Sequence, residues 1–231
     1  MRLSLYRKYL VRRHFIATGV VLAVIGLTLS PMRLSATAAP LGKPSQAKII
    51  LVLGDSLSAE YGLKRGSGWV ALLEQKLKTE NMNASVINAS ISGDTTTGGL
   101  VRLPALLAQH KPTHVIIELG GNDALRGLPL SLTQNNLTVM TQTAQQAGAR
   151  VLLIGMQMPP NYGRDYGALF AALYANVAKS NHAALVPFLL KGIADRPESM
   201  QLFQADRIHP TEAAHPLMLA NVWPELKKIL Q

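Results

Sequence analysis

The sequence predicts an α/β protein built on a doubly wound parallel sheet. Two observations predict it. Five apolar, β-branched runs alternate with segments of helical spacing, which is the pattern of βαβ units. The runs are also continuously apolar rather than alternating, as expected when helices cover both faces of a parallel sheet.

The elements follow in order. A polar lead-in, residues 39–47 ("APLGKPSQA"), precedes the first strand, "KIILVL" (48–53). A helical pattern over about 67–80 comes next, then "SVINAS" (85–90). Helical spacing over 96–110 is closed by Pro112, and "HVIIEL" (114–119) follows. A segment at about 132–147 has Thr133 as its expected cap and Gly148 as its stop. "RVLLIGM" (150–156), a helix at about 166–181, "ALVPF" (184–188) and a last helix from about 211 to 230 complete the chain. Pro224 is expected to kink or split that last helix. Right-handed crossovers place the helices on both faces. No repeat or internal linker interrupts 48–230, so 48–231 reads as one domain.

Charge and cysteine content narrow the function classes. The chain of 231 residues carries a formal charge of +10. Six basic residues and no acid fall within residues 1–38, which leaves about +4 for 39–231. The basic excess thus describes the N-terminus and gives no reason to expect a nucleic-acid partner. That N-terminus has the form of an export signal: a basic start, the apolar run "FIATGVVLAVIGLTLS", then "PMRLSATAAP". Ala36-Thr37-Ala38 fits the small-x-small cleavage pattern, so residues 1–38 are expected to leave as a signal peptide. The mature protein is then periplasmic or secreted. A retained membrane anchor is the competing reading. The chain has no cysteine, which excludes disulfides, thiolate metal sites and cysteine nucleophiles together.

In open α/β sheets ligands bind beyond the carboxyl ends of the strands. The residues there are "GDS", "SISGDTTTGG", "GGNDALRG" and "QMPPNYG". Ser56, in Gly54-Asp55-Ser56, stands where a nucleophile would, but equally where a helix N-cap would. His209 in "ADRIHPTEAAH" has Asp206 three residues before it. That spacing lets a carboxylate orient an imidazole, although a solvent-exposed loop histidine reads as well. Oxyanion donors are available from the amides of Ser56 and Gly93 and the side chain of Asn122. Taken singly, Gly93 also reads as a turn glycine and Asn122 as a side chain tying down its own loop. Asp55 and Asp94 could form a glycosidase carboxylate pair, but hydrogen bonding to their own loops is the simpler expectation. There is no G-x-x-x-x-G-K-[ST], no G-x-G-x-x-G and no H-E-x-x-H.

"GDSLS", "NASISGDTT", "GGND" and "DRIHP", in this order and at these intervals, resemble the blocks of the SGNH (GDSL) hydrolases. The similarity covers nearly all of 48–215. It leans toward the bacterial periplasmic thioesterase I/lysophospholipase L1/arylesterase branch, with "RLPALLAQH", "ELGGNDALRG" and "PPNYGRDY" carrying that flavour. The resemblance implies a flavodoxin-like three-layer α/β/α sandwich with a five-stranded parallel sheet. It implies Ser56 as nucleophile, His209 as base, Asp206 as its orienting carboxylate, and Ser56, Gly93 and Asn122 as the oxyanion hole. It implies no metal and no organic cofactor. Residues 123–128 and 158–163 would line the acyl pocket, with Asp123, Leu125, Leu128, Met158 and Pro159 as candidate substrate contacts. Two positions depart from the pattern. Glu60 stands where relatives often have glycine, and Ala124 where some have a second one.

The expected activity is hydrolysis of acyl esters and thioesters: aryl and alkyl esters, lysophospholipids and acyl thioesters. The protein is expected to be monomeric and to contact lipid transiently. A greasy cleft of Leu125, Leu128, Met156 and Met158 is one reading of those residues, and core packing is the other. Two rivals stand beside the main reading. A carbohydrate O-acetylesterase would need aromatic platforms, for which Tyr61, Trp69, Tyr162 and Tyr166 are the candidates. The other rival is a non-catalytic envelope binding protein.

Overall fold

The computed structural model describes residues 47–231. The expected signal peptide, 1–38, and all but the last residue of the lead-in lie outside the described residues. Five strands form one parallel sheet: β1 (Lys48–Gly54), β2 (Ala84–Asn88), β3 (His114–Glu118), β4 (Arg150–Ile154) and β5 (Ala184–Val186). Their spatial order is β2-β1-β3-β4-β5. The register runs Ile50 against Val86 on one side of β1 and Ile50 against His114 on the other. Helices α1 (Trp69–Thr79) and α6 (His215–Ile229) pack together. Likewise α2 (Thr96–His110), α4 (Leu130–Gln146) and α5 (Arg164–Ser180) pack in series. The direction of winding reverses between β1 and β3, which opens a crevice at their carboxyl ends.

Burial explains why the strands are so readable. β3 is buried at every position, β4 at all but its first, and β1 from Ile50 onward. The edge strand β2 has no buried residue, so its continuous run reflects β-branched content rather than two buried faces.

Three expectations are corrected. α4 starts at Leu130 behind Pro129, whose fixed φ of −58° begins the turn; Thr133 lies inside the helix and is buried rather than capping it. α6 is not split at Pro224 but runs on through it, with Val222 and Leu226 fully buried on either side and holding the helix to the core. A short helix, α3 (Gly121–Leu125), occupies what read as a loop after β3. Gly120 introduces it with φ +118°, and a Cβ there would sit 2.5 Å from the Tyr174 hydroxyl.

Between β5 and α6 the chain has 3-10 turns at Pro197–Leu202 and Glu212–Ala214. An antiparallel bridge, Phe203 to Pro210, pinches off the loop that carries Asp206 and His209.

Candidate active site

Past β1 the chain makes one irregular helical turn, with the N–H groups of Ser58 and Ala59 reaching the Asp55 carbonyl at 3.2 and 2.9 Å. Asp55 caps this turn, its Oδ1 accepting the Leu57 N–H at 3.0 Å. Ser56 is therefore free of capping. Its Oγ lies 2.8 Å from His209 Nε2. On the far side of the ring, His209 Nδ1 is 2.7 Å from Asp206 Oδ2. With Nδ1–H donating to the carboxylate, Nε2 is left to accept the serine proton.

The loop around His209 is fixed by backbone and by Gln204. The Gln204 N–H donates to the His209 carbonyl at 2.8 Å. Its side-chain amide donates to the carbonyls of Pro210 (3.0 Å) and Tyr61 (2.9 Å), which ties this loop to the one after β1. Asp206 Oδ1 accepts the N–H groups of Ile208 and His209, both at 3.0 Å. The His209 hydrogen bond and these two amides hold the Asp206 carboxyl down at about 2. Tyr61 lies over His209, ring centroids 4.2 Å apart at 37°.

The other two oxyanion candidates stand on the loops after β2 and β3. Gly93 takes φ +78°, and its carbonyl accepts Arg126 Nη2 at 2.8 Å. Asn122 donates one N–H of its amide to Asp55 Oδ2 at 3.0 Å. It thus ties its loop to the one bearing Ser56 rather than to itself.

Several expected contacts resolve differently. Asp123 is a correction: it is fully buried, and both of its oxygens hold Thr96, one on the backbone N–H at 2.8 Å and one on the hydroxyl. Its carboxylate anchors the start of α2 and does not face a substrate. Met156 is core. Leu125 and Pro159 are exposed, while Leu128 and Met158 are half-buried. Met158 and Pro159 line an open groove of about 320 Å³ with Gly163 and Arg164, one that does not include Ser56. Asp94 is ion-paired with Arg102, which removes it as a glycosidase acid. Trp69 is wholly buried and is no sugar platform. His114 and His215 are also buried, holding the Ile229 carbonyl and the Trp69 N–H respectively.

Glu60 has φ +60°, which accounts for glycine being the easier residue there. Its carboxylate compensates by accepting the N–H groups of Gly66 (3.0 Å) and Gly68 (2.9 Å).

Sequence reasoning missed Glu118 and Ser58, and the place of Trp69 beside them, beneath the Ser56 turn. Glu118 Oε2 accepts the Ser58 hydroxyl at 2.7 Å, and Ser58 Oγ accepts Trp69 Nε1–H at 3.2 Å. The available signal was an acid closing an otherwise apolar run destined for the sheet centre.

The model of the GDSL-like lipase/acylhydrolase family matches residues 52–217. The chain is 52% identical over 190 residues to an esterase, TesA, of Pseudomonas aeruginosa, covering 82% of this chain and 93% of that one. It is 43% identical over 176 residues to thioesterase 1/protease 1/lysophospholipase L1 of Escherichia coli, covering 76% and 82%. Among solved structures it resembles the psychrotrophic esterase EstA of Pseudoalteromonas sp., captured inhibited by monoethylphosphonate, at 43% identity and TM-score 0.74 over 79% of this chain and 98% of that one. On the strength of this match and of the two curated relatives, the chain belongs to the GDSL-like lipase/acylhydrolase family.

Proposed function

We propose that this enzyme is a serine hydrolase that cleaves carboxylic acyl esters and thioesters through an acyl-enzyme on Ser56. The observation that carries the reading is the continuous hydrogen-bonded line from Ser56 Oγ through His209 to Asp206. His209 takes the hydroxyl proton as Ser56 attacks the carbonyl carbon. Asp206 stabilises the imidazolium that results. The N–H groups of Ser56 and Gly93 and the second N–H of the Asn122 amide receive the oxyanion. His209 passes its proton to the leaving alcohol or thiol. Water then enters, gives a proton to His209 and attacks the acyl-enzyme, and His209 returns that proton to Ser56 Oγ as the acid leaves.

Exposed Tyr61, Ile91, Leu125 and Ile208 on the loops at this end of the sheet favour substrates with apolar acyl groups, lysophospholipids included. Wholly buried Trp69 and half-buried Tyr166 remove two of the four aromatic platforms that the carbohydrate O-acetylesterase reading calls on, leaving Tyr61 and Tyr162. The assembled serine–imidazole pair argues against a binding protein without activity. The reading extends to location: the basic, then apolar, then small-residue order of residues 1–38 supports export and cleavage after Ala38. The periplasmic form would then begin at Ala39, a point that N-terminal sequencing decides.

Ser56→Ala tests the mechanism. The variant should melt like the wild type, lose hydrolysis of p-nitrophenyl esters and resist labelling by a phosphonate ester. Unchanged activity would reject it.

A further inference from the structure

Beneath the Ser56 turn lies a cluster of buried polar groups that the mechanism above does not use. Glu118, at the end of the central strand β3, is wholly buried, as is Trp69; Ser58 and Asp55 are 2% and 3% exposed. Glu118 Oε2 accepts from the Ser58 hydroxyl at 2.7 Å and from the Asp55 N–H at 3.4 Å. Its Oε1 has no hydrogen-bond partner among the described residues. Gly54 is bare because of this group: a Cβ there would stand 2.8 Å from both Glu118 Oε2 and Ser58 Oγ.

The two strand ends clasp each other. A carboxyl from β3 holds the backbone of the loop after β1. A carboxyl from that loop, Asp55, holds the Asn122 amide four residues past Glu118 on the β3 side. We propose that Glu118 is a positioning residue for the reaction at Ser56, acting through Asp55 on the Asn122 amide.

The electrostatics give the reason for a carboxyl rather than an apolar side chain. Burial pushes Glu118 well above the usual carboxylate range, and the charge of Asp55 and the contact between the two carboxyls push it further. Burial also raises Asp55 to about 6, held there against it by the Leu57 N–H, His209 and Asn122, with Asp94 acting the other way. Near neutral pH the pair therefore carries one proton, on Glu118, and one negative charge, on Asp55. The neutral acid lets its neighbour stay charged out of water. That charge fixes one N–H of Asn122, so that the other points where the oxyanion forms. Tyr174 also faces the cluster, its hydroxyl donating to the Leu119 carbonyl at 3.0 Å. It stays neutral, pushed up chiefly by its burial, with the negative charge of Asp55 adding to it.

The inference rests on the hydrolytic reading of Ser56, so Ser56→Ala is run beside the variants that test it. Glu118→Leu should lower kcat about 100-fold, the worth of one oxyanion donor, while KM moves by less than about 3-fold. Glu118→Gln, which keeps an acceptor oxygen for the Ser58 hydroxyl and the Asp55 N–H, should recover kcat to within about 5-fold. In an Asn122→Ala background the Leu substitution should cost less than about 3-fold, because its effector is already gone. An equal loss in both backgrounds, or a loss carried by KM, overturns the proposal even where Ser56→Ala is dead. If Glu118→Leu does not fold, the pH profile of Glu118→Gln decides. The wild-type kcat should fall on the alkaline side as Glu118 ionises, and Glu118→Gln should lack that limb. Its persistence overturns the proposal.

Discussion

Replacing Asp55 by Asn should make stability less dependent on pH, in a direction and by an amount that the structure sets. Asp55 stands at about 6 in the folded protein against an ordinary 3.8, chiefly because burial disfavours its charge. Between these values the folded state binds more protons than the unfolded one. Wild-type stability is therefore fullest below the unfolded value and is lost as pH rises toward 6. The gap of about 2 pH units, at about 1.4 kcal/mol each, is worth about 3 kcal/mol. Asn cannot ionise and pays nothing over that interval. Burial, the first cause of the rise at Glu118, acts in both proteins. Urea denaturation of both proteins at about pH 3.5, 5 and 7 gives the difference in unfolding free energy. That difference should move by about 3 kcal/mol in favour of Asp55→Asn from the lowest pH to the highest, whatever constant offset the lost hydrogen bonds add. A difference flat to within about 1 kcal/mol would refute the assignment of a buried, charged Asp55. At neutral pH the same variant should have a lower kcat, because an amide at 55 has one acceptor oxygen where the carboxylate serves both the Leu57 N–H and the Asn122 amide.

Other expectations are as direct. Asp206→Ala leaves the imidazole without its orienting carboxylate and should lower kcat by about 100-fold or more with KM little changed, read on a p-nitrophenyl ester. Below neutral pH the Asp206 carboxylate itself should not limit the rate, since it stays ionised down to about 2. Gly54→Ala forces a Cβ to 2.8 Å from Glu118 Oε2 and should cost about 1–3 kcal/mol in denaturant midpoint together with a fall in kcat. Glu60→Ala keeps the left-handed backbone but removes the acceptor for Gly66 and Gly68; a loss of about 1–3 kcal/mol is expected, and a variant as stable as wild type would show those bonds to be idle.

The sheet was legible because its centre is covered on both faces, which leaves strands such as "HVIIE" without a polar face to confuse the reading. Ser56 was conspicuous at a strand end and His209 by the acid three residues before it, and the structure brings the serine and imidazole to hydrogen-bond distance across 153 positions of sequence. What stayed hidden depends on direction rather than type. Whether Asp123 turns toward the cleft or toward the start of α2, 27 positions earlier, is decided by packing that no local pattern records. The same holds for Glu118, whose partners, Ser58 and Asp55, come from the loop after β1 some 60 positions earlier. Thr133 looked like a cap because the helix was read one turn short, and Pro129 had already begun it.

The two halves of the site rest on unequal foundations. Ser56 and Asn122 stand on the buried end of the sheet, whereas His209 rides on a stretch, 187–214, with no strand or α-helix of its own, strapped to its neighbour at Tyr61 by Gln204. Such a strap opens at a free energy well below that of the whole domain. Warming should therefore silence turnover several degrees before the fold melts, and cooling should restore it in full. Improving this enzyme's endurance is then a matter of splinting one loop and leaving the core alone.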